Sequence, residues 1–281
     1  MGDYTFKELI EAACEPDDEL EYGTQDPQIF EQAHPEDFLE AAEQGDDFAQ
    51  YMMGMLYFYG NENVEQNHEE AVKWFKKAAL QGDAVSQLFY GECLELGNGI
   101  EQNMEEAVVW FRKAAEQGNE WGQYHLGYSY LYGDGLEVDY AEAEKWLGLA
   151  VEGGNGNAAN RLADMYFDGL GVEQDYAEAV RLYRLALENL GQEDDITEAV
   201  VNLGFCYDEG LGVEQDHVEA FRLYLLAADS GNPVVEFNLG ECYEQGKGVE
   251  PDLNLALDWY RRAAEQGDED SIHALKRLER K

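Results

Sequence analysis

Positive charge is what this chain of 281 residues has least of: 18 Lys and Arg stand against 61 Asp and Glu, a formal net charge of −43. Such a surface repels phosphate backbones and anionic headgroups, which excludes nucleic acid and membrane surfaces as expected partners. Long apolar runs are missing, so no segment reads as a membrane span. Residues 1–15 have no basic stretch leading into an apolar run, so they do not read as a secretory signal. Gly2 opens no acylation signal, because Phe6 stands where Ser or Thr is required. The expected location is the cytoplasm. Cysteine is scarce as well: Cys14, Cys93, Cys206 and Cys242 are too few and too scattered for a disulfide scaffold.

The equipment of an enzyme is equally thin. His34, His68, His125, His217 and His273 form neither an HxxxH nor an HExxH pair, and no Walker A or Gly-x-Ser-x-Gly motif is present. The Gly-x-Gly pairs follow no strand, and the acidic loop 132–139 lacks calcium-ligand spacing. We expect no catalytic residue, no cofactor and no metal.

What the chain does hold is apolar residues, 45% of the total with 12% aromatic, enough for a packed core. They are arranged as a repeat. Residues 82–117 and 231–266 align without a gap, and the column Trp74, Trp110, Trp146, Leu182, Leu223, Trp259 advances in steps of 36, 36, 36, 41 and 36. The long step marks five inserted residues around 190–195. A second column is Gly54, Gly91, Gly127, Ala163, Gly204, Gly240. Each unit reads as a helical hairpin. A first helix (A) ends in a Gly-x-Gly turn in five of the units. A second helix (B) opens on Asn67, Asn103, Asp139, Asp175 or Asp216, each with Glu three residues later. That spacing is a capping box; the sixth unit keeps Asp252 but has Leu255. Glycine inside helix A costs about 1 kcal/mol against Ala, so its recurrence implies close helix packing.

Several motifs recur in phase: Gln-Tyr-x-Leu-Gly-x-x-Tyr at 123–130, the Gly-x-Gly-Val turn at 210–213, and the Trp-Phe/Tyr-x-Lys/Arg-Ala-Ala-Glu-Gln-Gly ending at 110–118 and 259–267. With them the chain resembles the Sel-one-like repeat (SLR) family, a relative of tetratricopeptide repeats. The resemblance implies an all-α fold, a right-handed α-α superhelix (solenoid) of helix-turn-helix repeats, and an adaptor role in protein complexes. Some secreted, cysteine-rich relatives pair two cysteines in every unit and are described as binding or hydrolysing β-lactams. This chain has one cysteine at most per unit, with Cys93, Cys206 and Cys242 in one helix A column, so that alternative is disfavoured. The expected organisation is an N-terminal helix (residues 5–14), an acidic connector and a half-repeat cap over 1–44. Six repeats follow at 45–81, 82–117, 118–153, 154–195, 196–230 and 231–266, and then a capping helix at 267–281.

If helix A lines the concave side, as in tetratricopeptide relatives, its inward positions form the candidate surface. The first unit contributes Phe48, Tyr51, Met55, Phe58 and Tyr59, and the second Glu92 and Glu95. Trp121, Tyr124, Tyr128 and Tyr132 come from the third, and Asp164, Phe167 and Asp168 from the fourth. The last two add Phe205 and Asp208, then Phe237, Glu241 and Glu244. Aromatic faces interleaved with carboxylates suit a basic or basic-amphipathic peptide, through cation–π attraction and an acidic field. The expected function is a non-catalytic scaffold or adaptor binding such a segment. A competing expectation treats the acidity as solvation, a halophile-like surface on a scaffold that uses another face.

Overall fold

The computed structural model describes residues 33–189 and 197–278. The expected helix over 5–14 with Cys14, the acidic connector, the insertion at 190–195 and the last residues from 279 lie outside the described residues. Fourteen α-helices, one 3-10 turn and no strand occur among the described residues. The chain divides into two compact units, Met1–Asp139 and Tyr140–Lys281.

The first unit holds α1 (Pro35–Gln44), α2 (Asp47–Tyr59), α3 (His68–Gln81), α4 (Ala84–Leu96), α5 (Met104–Glu116) and α6 (Glu120–Tyr132). In the second are α7 (Tyr140–Glu152), α8 (Gly156–Asp168), α9 (Tyr176–Asn189), α10 (Thr197–Glu209) and α11 (His217–Leu226). After a 3-10 turn at Ala228–Ser230 come α12 (Pro233–Gln245), α13 (Leu253–Glu265) and α14 (Glu269–Leu278). Helices α2, α4, α6, α8, α10, α12 and α14 are of the A type, and the odd-numbered ones of the B type.

In four of the hairpins an aromatic ring lies over the helix A glycine, at Gly54, Gly91, Gly204 and Gly240. A Cβ on Gly91 would meet Phe111 at 2.6 Å, and one on Gly240 would meet Tyr260 at 2.6 Å. The recurring glycine therefore makes room for a ring. Ala71, Ala107, Ala143, Ala179, Ala220 and Ala256, one per B helix, are fully buried. In the first unit successive hairpins are joined by the buried glutamines Gln50, Gln87 and Gln123, whose carboxamides reach carbonyls that the preceding B helix leaves open at its end. Gln87 Nε2 donates to the Ala79 carbonyl at 3.2 Å, and Gln117 Nε2 donates to Gln87 Oε1 at 2.8 Å.

The B helices after α1, which keeps a capping box between His34 and Asp37, are capped differently. Asn67 and Asn103 accept from the N–H groups of Glu70 and Glu106, and Asp175 and Asp216 from those of Glu178 and Glu219. The reciprocal half is replaced by a tertiary bond: the cap residue's own N–H donates to a helix A carbonyl, Asn103 to Leu94 at 2.8 Å and Asp216 to Tyr207 at 2.9 Å. Glu70, Glu142, Glu178 and Glu219 reach Lys73, Lys145, Arg181 and Arg222 instead. The sixth unit, without a glutamate, is capped like the rest, since Asp252 accepts from Asn254 and Leu255.

The second glycine of each Gly-x-Gly turn makes the other junction between hairpins. Gly135 has φ +72°, and a Cβ there would lie 2.5 Å from the Met104 carbonyl oxygen at the start of α5. Both the left-handed backbone and the close approach demand glycine.

Candidate functional site

The A-helix positions do not share one fate. In the first unit Tyr51 and Met55 are each 6% exposed and belong to the core. The Tyr51 ring lies 6.1 Å from Phe89 and 6.4 Å from both Phe48 and Phe75, and burial pushes its phenol well above the usual range. Tyr51 and Met55 therefore leave the candidate surface: both are buried, and Phe89 of α4 packs on Tyr51. Phe58 is half-buried and stacks on His68 at 4.9 Å, which gives that histidine a packing role. Phe48 is half-buried, while Tyr59 is 55% exposed.

Helices α4 and α6 carry the most concentrated part of the surface. Trp121, Tyr124, Tyr128 and Tyr132 form a ladder along α6, with successive ring centroids 5.8, 6.0 and 4.5 Å apart. Trp121, Tyr124 and Tyr128 are half-buried, and Tyr132 is 48% exposed. On α4, Glu92 and Glu95 hold His125 of α6 between them: Nε2 lies 3.4 Å from Glu92 and Nδ1 3.4 Å from Glu95. The imidazole stacks on Phe111 of α5 at 4.5 Å and meets the edge of Tyr124 at 5.3 Å. Burial raises the Glu95 carboxyl above the usual range; His125 opposes the shift, and Glu92 and Asp134 add to it. The Tyr59 phenol is raised by burial first and by the charge of Glu92 second.

In the second unit the same columns are neutralised from within. Asp164 accepts from Tyr183 at 2.8 Å, Asn202 at 3.0 Å and Arg161 at 3.1 Å, and Arg161 also pairs with Glu198. Burial pushes Asp164 up to about 6, against the opposing pull of Tyr183 and Arg161. Asp208 is 9% exposed and held by His217 at 2.6 Å and Lys247 at 2.7 Å. Glu244 is clamped by Arg277 of α14 at 2.6 and 2.7 Å and accepts from Tyr260 at 2.9 Å. These three carboxylates serve as internal ion-pair anchors. Phe167 packs on Tyr176 at 5.2 Å and on Phe205 at 6.3 Å. Phe205 is 43% exposed, Asp168 is exposed, Phe237 is half-buried against Tyr260, and Glu241 accepts from Gln245.

Sequence reasoning missed those internal cations, together with an outer feature of the B helices. Lys77 covers Trp74 at 3.6 Å, Lys113 covers Trp110 at 3.5 Å, and Arg262 covers Trp259 at 4.5 Å. Their signal was present: a Lys or Arg follows each of these tryptophans at a spacing of three, which brings the two onto one helix face. Cys93, Cys206 and Cys242 are buried free thiols pushed up to about 12, 11 and 12 by burial, an environment for packing rather than nucleophilic chemistry. Among the described residues no group of three or more His, Cys, Asp or Glu could hold a metal ion, and no helix is long and apolar enough to cross a membrane.

Comparison with known proteins places this geometry. The family model for the Sel1 repeat matches residues 47–83, 84–119, 122–155, 156–189, 197–232 and 233–268. One similar solved structure is that of c5321, a protective antigen present in uropathogenic Escherichia coli strains and displaying an SLR fold. It is 38% identical with a TM-score of 0.77, over 91% of this chain and 53% of that one. The chain thus spans about half the length of that relative. A Sel1 repeat protein from Oxalobacter formigenes is 30% identical with a TM-score of 0.69, over 80% of this chain and 86% of its own. No curated protein matches the sequence.

Proposed function

This chain belongs to the Sel1 repeat family, whose members generally mediate protein–protein interaction and typically act as non-catalytic scaffolds, and from that premise we propose that it binds a basic or basic-amphipathic peptide segment of a partner protein on its A-helix faces. The observation that carries the reading is the α6 ladder, four aromatic rings in one line beside the Glu92–Glu95 pair. A core alone does not need such a line to stay half-exposed. Each ring offers a cationic side chain about 0.5–2 kcal/mol, and the acidic field raises the rate of encounter with positive ligands.

The test is binding of a fluorescein-labelled peptide of alternating lysine and leucine, followed by anisotropy. The unaltered protein should bind it, and more weakly as NaCl rises from 20 to 300 mM. Tyr124→Ala with Tyr128→Ala should weaken binding tenfold or more while far-UV circular dichroism keeps its helical signal. Unchanged affinity in that variant would remove the ladder from the interface, and lost helicity would assign both rings to the core.

A further inference from the structure

The two units differ in where their cations lie. Every Lys and Arg between residues 33 and 139 is on a B helix: Lys73, Lys76 and Lys77 on α3, and Arg112 and Lys113 on α5. All are engaged there, Lys73 with Glu70, Lys76 over Tyr90, Lys77 over Trp74, Arg112 with the Tyr130 hydroxyl and Lys113 over Trp110. Helices α2, α4 and α6 carry no Lys or Arg at all. In the second unit Arg161, Lys247 and Arg277 fill the corresponding role beside Asp164, Asp208 and Glu244. Among the described residues, the ion pairs of Glu92 and Glu95 are with His125 alone.

We propose that Glu92 and Glu95, which hold His125 of the α6 ladder between them, form the position of the first unit that accepts a Lys or Arg side chain of the partner peptide, and that the His125 proton competes with that side chain. The inference rests on the proposed peptide-binding role and assigns its anchor. The half-buried carboxylates supply the charge, and Tyr124, whose ring meets His125 at 5.3 Å, brings the aromatic ladder to the same place. Each His125 nitrogen faces a carboxylate oxygen, and only the protonated imidazole has an N–H for both. A cation from the partner brings the same charge to the same two oxygens, so ring proton and ligand oppose each other. By linkage, binding then releases protons and affinity rises with pH. The groups facing the ring are Glu92 and Glu95 from α4, Phe111 from α5, and Tyr124 from α6 itself; the charge of Asp134 bears on Glu95.

The experiment uses the full chain and the labelled lysine–leucine peptide at pH 5.5 and 8.0, with helicity checked at both. Binding should be at least tenfold tighter at pH 8.0. Glu92→Gln with Glu95→Gln should lose tenfold or more at pH 8.0, whereas Glu105→Gln on α5 should change affinity less than twofold. His125→Gln should keep binding but reduce the pH effect below threefold, which separates the ring from Asp164 and Glu95. If His125→Gln costs helicity, titration calorimetry of the unaltered protein at pH 6.5, in buffers of different ionisation heat, counts the protons instead. Proton release upholds the competition, and none overturns it. Wild-type affinity in the Glu92/Glu95 double variant, or an undiminished pH effect in folded His125→Gln, overturns the assignment and leaves the peptide-binding reading intact. Failure of the unaltered protein to bind the peptide at either pH overturns both.

Discussion

Asp164 is a carboxylate that the fold holds reluctantly in its ionised form. Burial lifts it to about 6, while an unfolded chain releases that proton near ~4. Between these values the folded state holds a proton that the unfolded state has lost, so stability from this residue falls as pH rises through roughly 4 to 6. Two pKa units correspond to ~3 kcal/mol as an upper figure. Comparing Asp164→Asn with the unaltered protein by urea unfolding at pH 4.0 and 7.0, the difference should move by about 1–3 kcal/mol in favour of the variant at the higher pH. Parallel behaviour at both pH values would show that the fold does not raise this carboxyl. The sequence could place Asp164, Asp208 and Glu244 in inward columns, because a column reports a residue's own position. It could not report what covers that position. Lys247 is the middle residue of the next unit's turn, 39 residues beyond Asp208, and Phe89 is the side chain of a following helix that closes over Tyr51.

At the scale of the element almost everything was legible, since columns recurring in phase determine helix length, turn and pairing at once. The inferred capping box went wrong on one side only: the cap N–H finds a helix A carbonyl, and a local motif carries no information about such a tertiary partner. The turns show how much of a glycine's cost is contact rather than backbone. Gly118 (φ +88°) has open space around it, whereas Gly135 (φ +72°) abuts the Met104 backbone. Gly118→Ala should cost about 1–2 kcal/mol from the left-handed backbone alone. Gly135→Ala adds a clash with a carbonyl that cannot swing aside, and should cost about 1–3 kcal/mol more. Urea midpoints at constant m-value would measure both, and equal losses would remove the turn-to-helix contact as a source of stability.

For the molecule as a whole, the −43 charge sets the response to salt. Exposed ion pairs such as Lys73–Glu70 and Arg261–Asp258 contribute little and weaken on screening. Mutual repulsion among 61 acidic groups weakens too, and their excess over 18 basic ones makes it the larger effect. The first thermal transition should therefore rise by a few degrees between 20 mM and 0.5 M NaCl, at ~2–4 °C per kcal/mol. A fall would mean that fixed pairs, not net charge, dominate. Composition shows this balance without any structure, but not which carboxylates are already matched; that depends on cations brought close by the order of the hairpins. The pairing of cations with tryptophans has an optical side. Trp74, Trp110, Trp146 and Trp259 occupy one B-helix column, and Trp121 alone stands at the head of the α6 ladder. Replacing the four column residues by phenylalanine would leave Trp121 as the single tryptophan, so tryptophan emission, excited beyond the tyrosine band, would report events at the α6 ladder from an otherwise unlabelled chain.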